Sequence, residues 1–302
     1  MRTETPPRLR HLAPHEWQPL RDAHRERAER WTLPHLERRS RREPHPVLDF
    51  VFEYYPYEPA KLARWHPGVG TALTGDGADA LLALAAYRAE GDAVTVDLSR
   101  LERRREGLVW ARDLMVRTAS RPARTDCFGL HEWAMVHGAG SEGRRHSTVP
   151  LRLGQDGTDA VTEAHQVRCT HVDAFRFFTD SGRPLNSLQP TRETQPAMEQ
   201  PGCLHANMDL YRFAAKLSPF GDSALLLDTF ELAVEIREAD MRASPYDLTA
   251  WGYEPVRIET PEGKAEYVRR QRDFATRAAV LRARLVADHD RVLTADESTE
   301  TR

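Results

Sequence analysis

The chain of 302 residues is long enough to bury a substantial core, either in one large domain or in two smaller ones. Its formal net charge of −3 and its pI near 6.5 argue against broad, non-specific nucleic-acid binding, although a local basic patch is compatible with them. No apolar stretch approaches the length of about twenty residues that a membrane-spanning helix needs, and the cysteines are three, an odd number. We therefore expect a soluble, cytoplasmic protein with reduced thiols and no membrane partner.

The N-terminal part of the chain is expected to be mainly helical. Residues 1–10 are polar and lack periodicity, which predicts a disordered N-terminus. Between Pro14 and Glu43, arginines alternate with tryptophan and leucine at helical spacing, so we expect one or two amphipathic helices with a basic, solvated outer face. A further apolar segment, residues 47–55, precedes a short helix that ends before Pro67.

Three short segments have the alternating pattern that is typical of β-strands. They are DAVTVDLS at 92–99, VPLRLG at 149–154 and HQVRC at 165–169. Between them, residues 106–118 have a helical pattern, and GAGSEGRR at 138–145 predicts a mobile loop. A small sheet among many helices is the expected result.

The C-terminal part is predicted to hold three helices, at 205–217, at 224–243 and from the Thr260-Pro261 pair onward. Residues 181–203 precede them, with four prolines and no regular period. A structureless segment of that length inside a domain is uncommon, so we expect it to be a lid or a binding loop.

These elements predict the fold class and the domain organisation. The fold class is mainly α with a small β-sheet (α+β), in a single compact domain that spans residues 11–293. No internal repeat is visible. Residues 294–302 are polar and non-periodic, which predicts a disordered tail.

Each of the three cysteines is followed closely by a histidine, in CFGLHEW (127–133), CTHVD (169–173) and CLHANMD (203–209). If CTHVD is extended, Cys169, His171 and Asp173 project from one face. On a helix, His205 and Asp209 share a face, and so do Cys127 and His131. If the three pairs converge in space they form the functional site, and if they scatter the pattern is chance.

The pairs are compatible with several kinds of chemistry. A structural zinc site normally has Cys-Cys or His-His pairs at short spacing, which are absent here. A cysteine nucleophile needs a neighbouring imidazole, but no recognisable local signature surrounds any of the three cysteines. General acid–base catalysis by the histidines and aspartates, with the cysteines packing as small hydrophobes, is the most plausible chemical use. Ordinary interior residues are the alternative.

An acidic stripe follows the predicted helix at 224–243. Its members, at spacings of three, four and three residues, are Asp228, Glu231, Glu235 and Glu238. If it faced inward, His205, Asp209, Glu231 and Glu235 would form a site for iron or manganese, as in helical carboxylate oxidoreductases. A solvated face paired with arginines is the more common structure, and it is the one that we expect.

Four longer motifs carry a resemblance to a known family: CFGLHEWAMV, HVDAFRFF, LNSLQPTRETQPAMEQPGCLHANMDLY and EIREADMRASPYDLTAWGYEPVRIETPEGKAEYV. With them, nearly the whole chain resembles a family of bacterial proteins commonly labelled 3-methyladenine DNA glycosylase. The family carries no clear helix-hairpin-helix signature, and PGVG at 67–70 is better explained as an ordinary loop.

The resemblance implies a hydrolase that releases a modified, alkylated purine base from DNA or from a nucleoside, without a cofactor. Such a reaction needs a carboxylate beside the developing oxocarbenium ion and aromatic rings that stack on the base. The expected catalytic residues are Asp173, Asp209, Glu132, His131, His171 and His205. The expected stacking residues are Trp133, Phe175, Phe177 and Tyr211.

Two further functions remain open at this stage. The first is a metal-dependent helical oxidoreductase that uses iron or manganese, and the second is a non-catalytic ligand-binding protein. The absence of a concentrated basic patch outside the first forty residues favours a nucleoside over damaged DNA as the substrate of a glycosidase.

Overall fold

A computed structural model of the protein describes residues 9–140, 146 and 148–300. Most of the predicted N-terminal disorder, and residues 141–145 of the predicted loop, lie outside this part. Within it, helices dominate and one small sheet is present, which confirms the predicted fold class. None of the described helices is long and apolar enough to cross a membrane.

The helices are named in chain order. They are α1 (Pro14–Arg41), α2 (Phe50–Tyr54), α3 (Pro59–Leu62), α4 (Arg105–Ala119), α5 (Leu130–Ala134), α6 (Gly154–Glu163), α7 (Val172–Phe175), α8 (Gln195–Met198), α9 (Leu204–Leu217), α10 (Ser223–Ala243) and α11 (Pro261–Glu300).

The sheet has four short strands in the order β1-β2-β4-β3, where β1 is Arg10–Leu12, β2 is Thr71–Thr74, β3 is Tyr87–Glu90 and β4 is Ala93–Val96. β1 pairs with β2 in parallel, and the other two pairings are antiparallel. The tight turn between β3 and β4 contains Gly91 at a φ of 62°, a backbone conformation that suits glycine in two-residue hairpins.

Of the three predicted strands, one is correct. β4 lies inside 92–99, whereas 149–154 and 165–169 form only isolated bridges, Leu151 with Tyr246 and Val167 with Asn186. Each of these two segments meets a single loop residue and has no strand beside it, so its alternating pattern does not lead to a ladder. β1, β2 and β3 have only three or four residues each, too few for a periodic signal.

The core forms where α9 and α10 pack against each other and α11 and α4 cover them. Phe213 and Tyr211 on α9 and Phe230 on α10 are all at most 1% exposed. α10 is buried on most of its circumference because other elements pack around it, and the acids on its remaining stripe pair with arginines of α1 and α11.

Two predicted loop segments are more ordered than the sequence indicated. Residues 181–203 contain a 3-10 turn at Arg183–Leu185 and the short helix α8. α11 continues to Glu300 and therefore includes most of the segment that was predicted as a disordered tail. Extending a helix whose earlier turns are docked on a core costs much less than nucleating a new one, so the helix continues into this polar segment.

His66 supplies a pH-dependent contribution to the stability of the fold. It is 7% exposed, and its Nδ1 lies 2.7 Å from the Tyr87 hydroxyl oxygen. Burial, with smaller contributions from Arg64 and His24, lowers the pKa of His66 to about 3. The unfolded chain takes up this proton near pH 6.5, so between pH 6.5 and pH 3 the folded state loses stability as the pH falls.

We predict that His66→Gln flattens this dependence. Between pH 6.5 and 4.5, the free energy of unfolding of the wild type should fall faster than that of the variant, by up to about 1.4 kcal/mol per pH unit. Denaturant unfolding at a series of pH values measures both slopes. His15→Gln, at an exposed position of α1, is the control and should keep the wild-type slope. Parallel curves for the wild type and His66→Gln would contradict the prediction.

Candidate functional site

The three Cys-His pairs converge. His131, His171 and His205 come from different parts of the chain, and their imidazole rings lie side by side around His205. The ring centroid of His205 is 4.7 Å from that of His131 and 5.3 Å from that of His171. All three side chains are buried, which is unusual for histidines unless charges or polar partners surround them.

A tight turn places His131. Phe128 and Gly129 have φ angles of 51° and 76°, and α5 begins immediately afterwards. The turn folds Cys127 back so that its Sγ lies 3.3 Å from Nδ1 of His131. A Cβ on Gly129 would meet the ring of Tyr267 at 3.2 Å, so glycine both permits the left-handed backbone and leaves room for α11.

Asp240 on α10 completes this side of the site. Its Oδ2 lies 3.0 Å from Nε2 of His131, and its Oδ1 accepts a 3.2 Å hydrogen bond from the Tyr267 hydroxyl. Burial opposes a charged imidazole, but the nearby Asp240 carboxylate and Cys127 sulfur raise the pKa of His131 well above its ordinary value. Without a bound ion, His131 and Asp240 thus form a buried ion pair.

His171 belongs to a second polar network. Its Nε2 lies 3.2 Å from Oδ2 of Asp209, which also accepts a 2.5 Å hydrogen bond from Nη2 of Arg212. Tyr55 donates to the other Asp209 oxygen at 3.2 Å. Burial opposes ionisation of Asp209, yet Arg212 and His171 outweigh it, and the pKa of Asp209 lies well below its usual range. Nδ1 of His171 is buried and has no hydrogen-bond partner in the described part of the chain.

Asp173 joins the same network, although not by the geometry that the sequence suggested. The segment CTHVD is extended only as far as His171, and Asp173 lies on the short helix α7. Nη1 of Arg212 donates to Asp173 at 2.9 Å, and Arg192, from the segment at 181–203, also pairs with it. The prediction of a shared strand face was wrong, because α7 begins within the motif, but Arg212 still joins Asp173 to Asp209.

The segment at 181–203 also brings Glu199 to the site. Oε2 of Glu199 lies 3.8 Å from Nε2 of His171 and accepts a 2.9 Å hydrogen bond from Gln195. Burial raises the pKa of Glu199. The predicted binding loop therefore closes over His171 and Asp173 through one buried carboxylate and one half-exposed arginine.

His205 is the histidine that reaches a cavity. Burial and the neighbouring His131 lower the pKa of His205 well below its ordinary value, so its ring is neutral. Among the described residues its ring makes no hydrogen bond. The cavity has a volume of about 10 Å³, enough for one water-sized molecule. Its walls are Phe50, Tyr54, Glu132, Met135, Asp173, Phe177, His205 and Arg237.

Glu132 and Arg237 form a direct ion pair in the wall of this cavity. Nη1 of Arg237 donates to Oε1 of Glu132 at 2.7 Å, and the guanidinium carbon lies 4.0 Å from the ring centroid of Phe50. Both residues are at most 5% exposed, so each charge depends on the other for compensation.

The expected stacking residues are distributed differently. Phe177 lines the cavity and is 37% exposed, whereas Phe175 is buried without lining it. Trp133 and Tyr211 are fully buried in the core, and Trp133 donates from Nε1 to the carbonyl oxygen of Ala243. Instead, Phe50 and Tyr54 on α2 provide the other aromatic walls.

The acidic stripe of α10 faces outward, as expected. Glu231 pairs with Arg27 of α1 at 2.5 Å, and Glu235 pairs with Arg277 of α11 at 2.6 Å. The prediction of a metal site composed of His205, Asp209, Glu231 and Glu235 is therefore wrong. Both glutamates lie on the face of α10 that is turned away from His205. The acid that α10 contributes is Asp240, on its buried face.

Asp240 is instead part of a group with metal-ligand spacing. One donor atom each from His131, His205 and Asp240 lies within 4.8 Å of the other two, and all three residues are buried. The cysteines lie beside this group, and Cys127 contacts its member His131. Burial raises the pKa of the Cys169 and Cys203 thiols, so both are neutral and pack as small apolar side chains.

Comparison with known proteins adds no assignment, since no protein family, curated protein or solved structure matches this chain.

We predict that Arg212 is essential to the stability of the site. Arg212→Met would leave Asp209 without its strongest partner in the interior, and breaking a buried pair in this way costs about 3–5 kcal/mol of unfolding free energy. Urea unfolding measures the loss. Arg277→Met removes an exposed ion pair with Glu235 and should cost less than about 1 kcal/mol.

The double variant Arg212→Met/Asp209→Asn tests the cause of that loss. If the unpaired carboxylate is responsible, Asp209→Asn restores part of the lost stability. A double variant that is less stable than Arg212→Met by the full cost of an independent substitution would contradict the explanation.

Proposed function

We propose that this protein is a metal-dependent oxidoreductase whose iron or manganese ion is held by His131, His205 and Asp240. The observation that carries the proposal is the donor set itself: two imidazoles and one carboxylate, buried, within 4.8 Å of one another. Two histidines and one carboxylate with open positions are the ligand set typical of non-haem Fe(II) oxygenases.

The distances suit an ion of this kind. Two ligand atoms at right angles around an ion, each about 2.1 Å from it, are about 3 Å apart. Nε2 of His131 and Oδ2 of Asp240 are 3.0 Å apart. The largest separation in the group, up to 4.8 Å, needs only small side-chain rotations to close. Ion binding would displace the proton that His131 and Asp240 share.

The surroundings of the three ligands support the same function. The ligands come from α5, α9 and α10, so their backbones are fixed by regular structure. Tyr267 holds the second oxygen of Asp240, the kind of outer contact that orients a ligand and tunes an ion. His205 also borders the cavity, so a small molecule in the cavity would lie next to an ion that His205 holds.

The cavity favours an oxidation in which dioxygen is the oxidant and an organic substrate supplies the electrons. Its volume of about 10 Å³ suits a diatomic molecule or one water, and aromatic and apolar side chains make up about half of its walls, with charged and polar side chains making up the rest. A redox-active ion supplies the activation of dioxygen when it is bound. The chain itself excludes bulk water, and Glu132 and Arg237 place a fixed pair of opposite charges in the wall of the cavity.

We predict that the purified protein binds about one Fe(II) per chain under anaerobic conditions. His205→Ala and Asp240→Asn should each lower the affinity for the ion by at least about tenfold. Elemental analysis and anaerobic titration measure the stoichiometry and the affinity.

Two controls separate this site from other ways of binding a metal. Glu231→Gln/Glu235→Gln removes the outward acids and should keep full iron binding. His15→Ala removes an exposed histidine and should also keep it. The proposal fails if the wild type binds neither iron nor manganese, or if it binds zinc alone.

A second candidate function is the N-glycosidase that the resemblance implies, acting on a modified purine nucleoside or on damaged DNA. Asp173 borders the cavity, where Phe50, Tyr54 and Phe177 provide aromatic walls. Burial opposes its ionisation, but Arg212 and His171 lower the pKa of Asp173, so an ionised carboxylate is available to an oxocarbenium ion. A purine would require the cavity to open, and the half-exposed Arg192 is the nearest side chain that can move.

For this candidate, the expected result is release of free base from an alkylated purine nucleoside or from alkylated DNA in the presence of a chelator. Asp173→Asn should slow the release by at least about 100-fold, and Asp180→Asn, on the following turn, should not. Chromatography of the released base measures both rates. Release that requires iron, or no release at all, would remove this candidate.

A further inference from the structure

An open groove runs between α4 and α11, on the far side of α11 from the Asp228–Arg284 contact with α10. It encloses about 890 Å³. Small apolar side chains line it, spaced along one face of α11 and along the end of α4; they include Ala275, Ala279, Ala283, Val286, Val116 and Ala119. We call it the α4–α11 groove.

Three arginines also line the α4–α11 groove: Arg121, Arg272 and Arg282. No carboxylate of the described residues lies within ion-pair distance of any of them, and no acidic residue lines the groove. This contrasts with other arginines of the same helix, such as Arg277 and Arg284, which pair with acids on α10. The groove therefore has apolar walls and uncompensated positive charge.

Arg282 is the most unusual of the three. It is 2% exposed, and its only hydrogen bond in the described part of the chain runs from Nη2 to Oδ1 of Asn207 at 2.6 Å. Its Nη1 is buried and has no partner there. The carboxyl group of Glu199 acts on Arg282 electrostatically but lies beyond ion-pair distance, so the charge of this buried guanidinium is only partly compensated and an anion beside it would be favoured.

We propose that the α4–α11 groove binds an amphipathic carboxylate, a fatty-acid anion, with its chain along the alanine-rich face of α11 and its head group on the arginines. The apolar walls would contact the hydrocarbon chain of the fatty acid. The three arginines, which have no acidic partner within ion-pair distance, would bind its carboxylate. A carboxylate also has the geometry to accept two parallel hydrogen bonds from one guanidinium group.

Occupancy of the groove would act on two elements of the functional site. Arg121 donates hydrogen bonds to the carbonyl oxygens of Pro196 and Glu199, and Glu199 lies beside His171. Arg282 holds Asn207, which is on α9 two residues after His205. The groove shares no residue with the proposed metal ligands, so its ligand can be tested without them.

Isothermal calorimetry of the full chain with decanoate, below its micelle concentration, tests the proposal. We expect saturable binding of about one decanoate per chain, and binding of 1-decanol that is at least about tenfold weaker because it lacks the charge. Arg272→Glu should weaken decanoate binding by at least about tenfold and should leave 1-decanol binding unchanged.

A matched pair of variants tests the location. Ala279→Trp fills the groove and should abolish saturable decanoate binding. Val280→Trp adds the same side chain at the next position, which is 61% exposed and does not line the groove, and should bind like the wild type. Thermal unfolding confirms that both variants are folded.

The proposal is overturned if the wild type binds no decanoate, if 1-decanol binds as tightly as decanoate, or if folded Ala279→Trp binds decanoate like the wild type. If the protein binds anionic lipid vesicles but has no affinity for free decanoate, the proposal is also overturned, and a membrane surface is indicated as the partner.

Discussion

The candidate site depends on the compensation of charge in the interior. Arg212 joins Asp209 and Asp173, and through Asp209 it also orients His171. Each of these acids is at most 2% exposed, so neither would stay ionised in this position without a guanidinium beside it. On the other side of His205, the imidazole of His131 compensates the charge of the buried Asp240 carboxylate. The cluster of histidines is therefore flanked by buried carboxylates with cationic partners: Asp173 and Asp209 on one side, and Asp240 on the other.

This arrangement explains why His205 differs chemically from its neighbours. His131 and His171 each have a carboxylate at about 3 Å, which raises the pKa of both. His205 has none at that distance and lies next to a cationic ring, so it remains neutral with a nitrogen lone pair available. A neutral imidazole at the edge of a cavity is suited to bind an ion or to accept a proton, whereas each of its two neighbours is hydrogen-bonded to a carboxylate.

Much of the fold and part of the site could be predicted from the sequence. Long amphipathic patterns identified α1, α4, α9, α10 and α11, because a periodic signal over many residues outweighs local noise. The Cys-His pairs pointed to three histidines that lie together in the structure. Asp240 was missed because the conspicuous acids of α10 lie on its outer stripe, while Asp240 interrupts the apolar face that begins at Leu226. A carboxylate one turn after Arg237, on a helix face whose other side chains are mostly apolar, was the signal for buried charge.

The turn at Gly129 has a consequence for the order in which the chain assembles. It leaves space for the ring of Tyr267, so the pocket around Asp240 is completed by a side chain of the last helix. The elements that carry His131, His171, His205 and Asp240 all precede α11 in the sequence. During synthesis, the hydrogen bond from Tyr267 to Asp240 can therefore form only after the first turns of α11 have emerged and docked. The pocket around Asp240 is thus completed by a segment that is made after all three histidines.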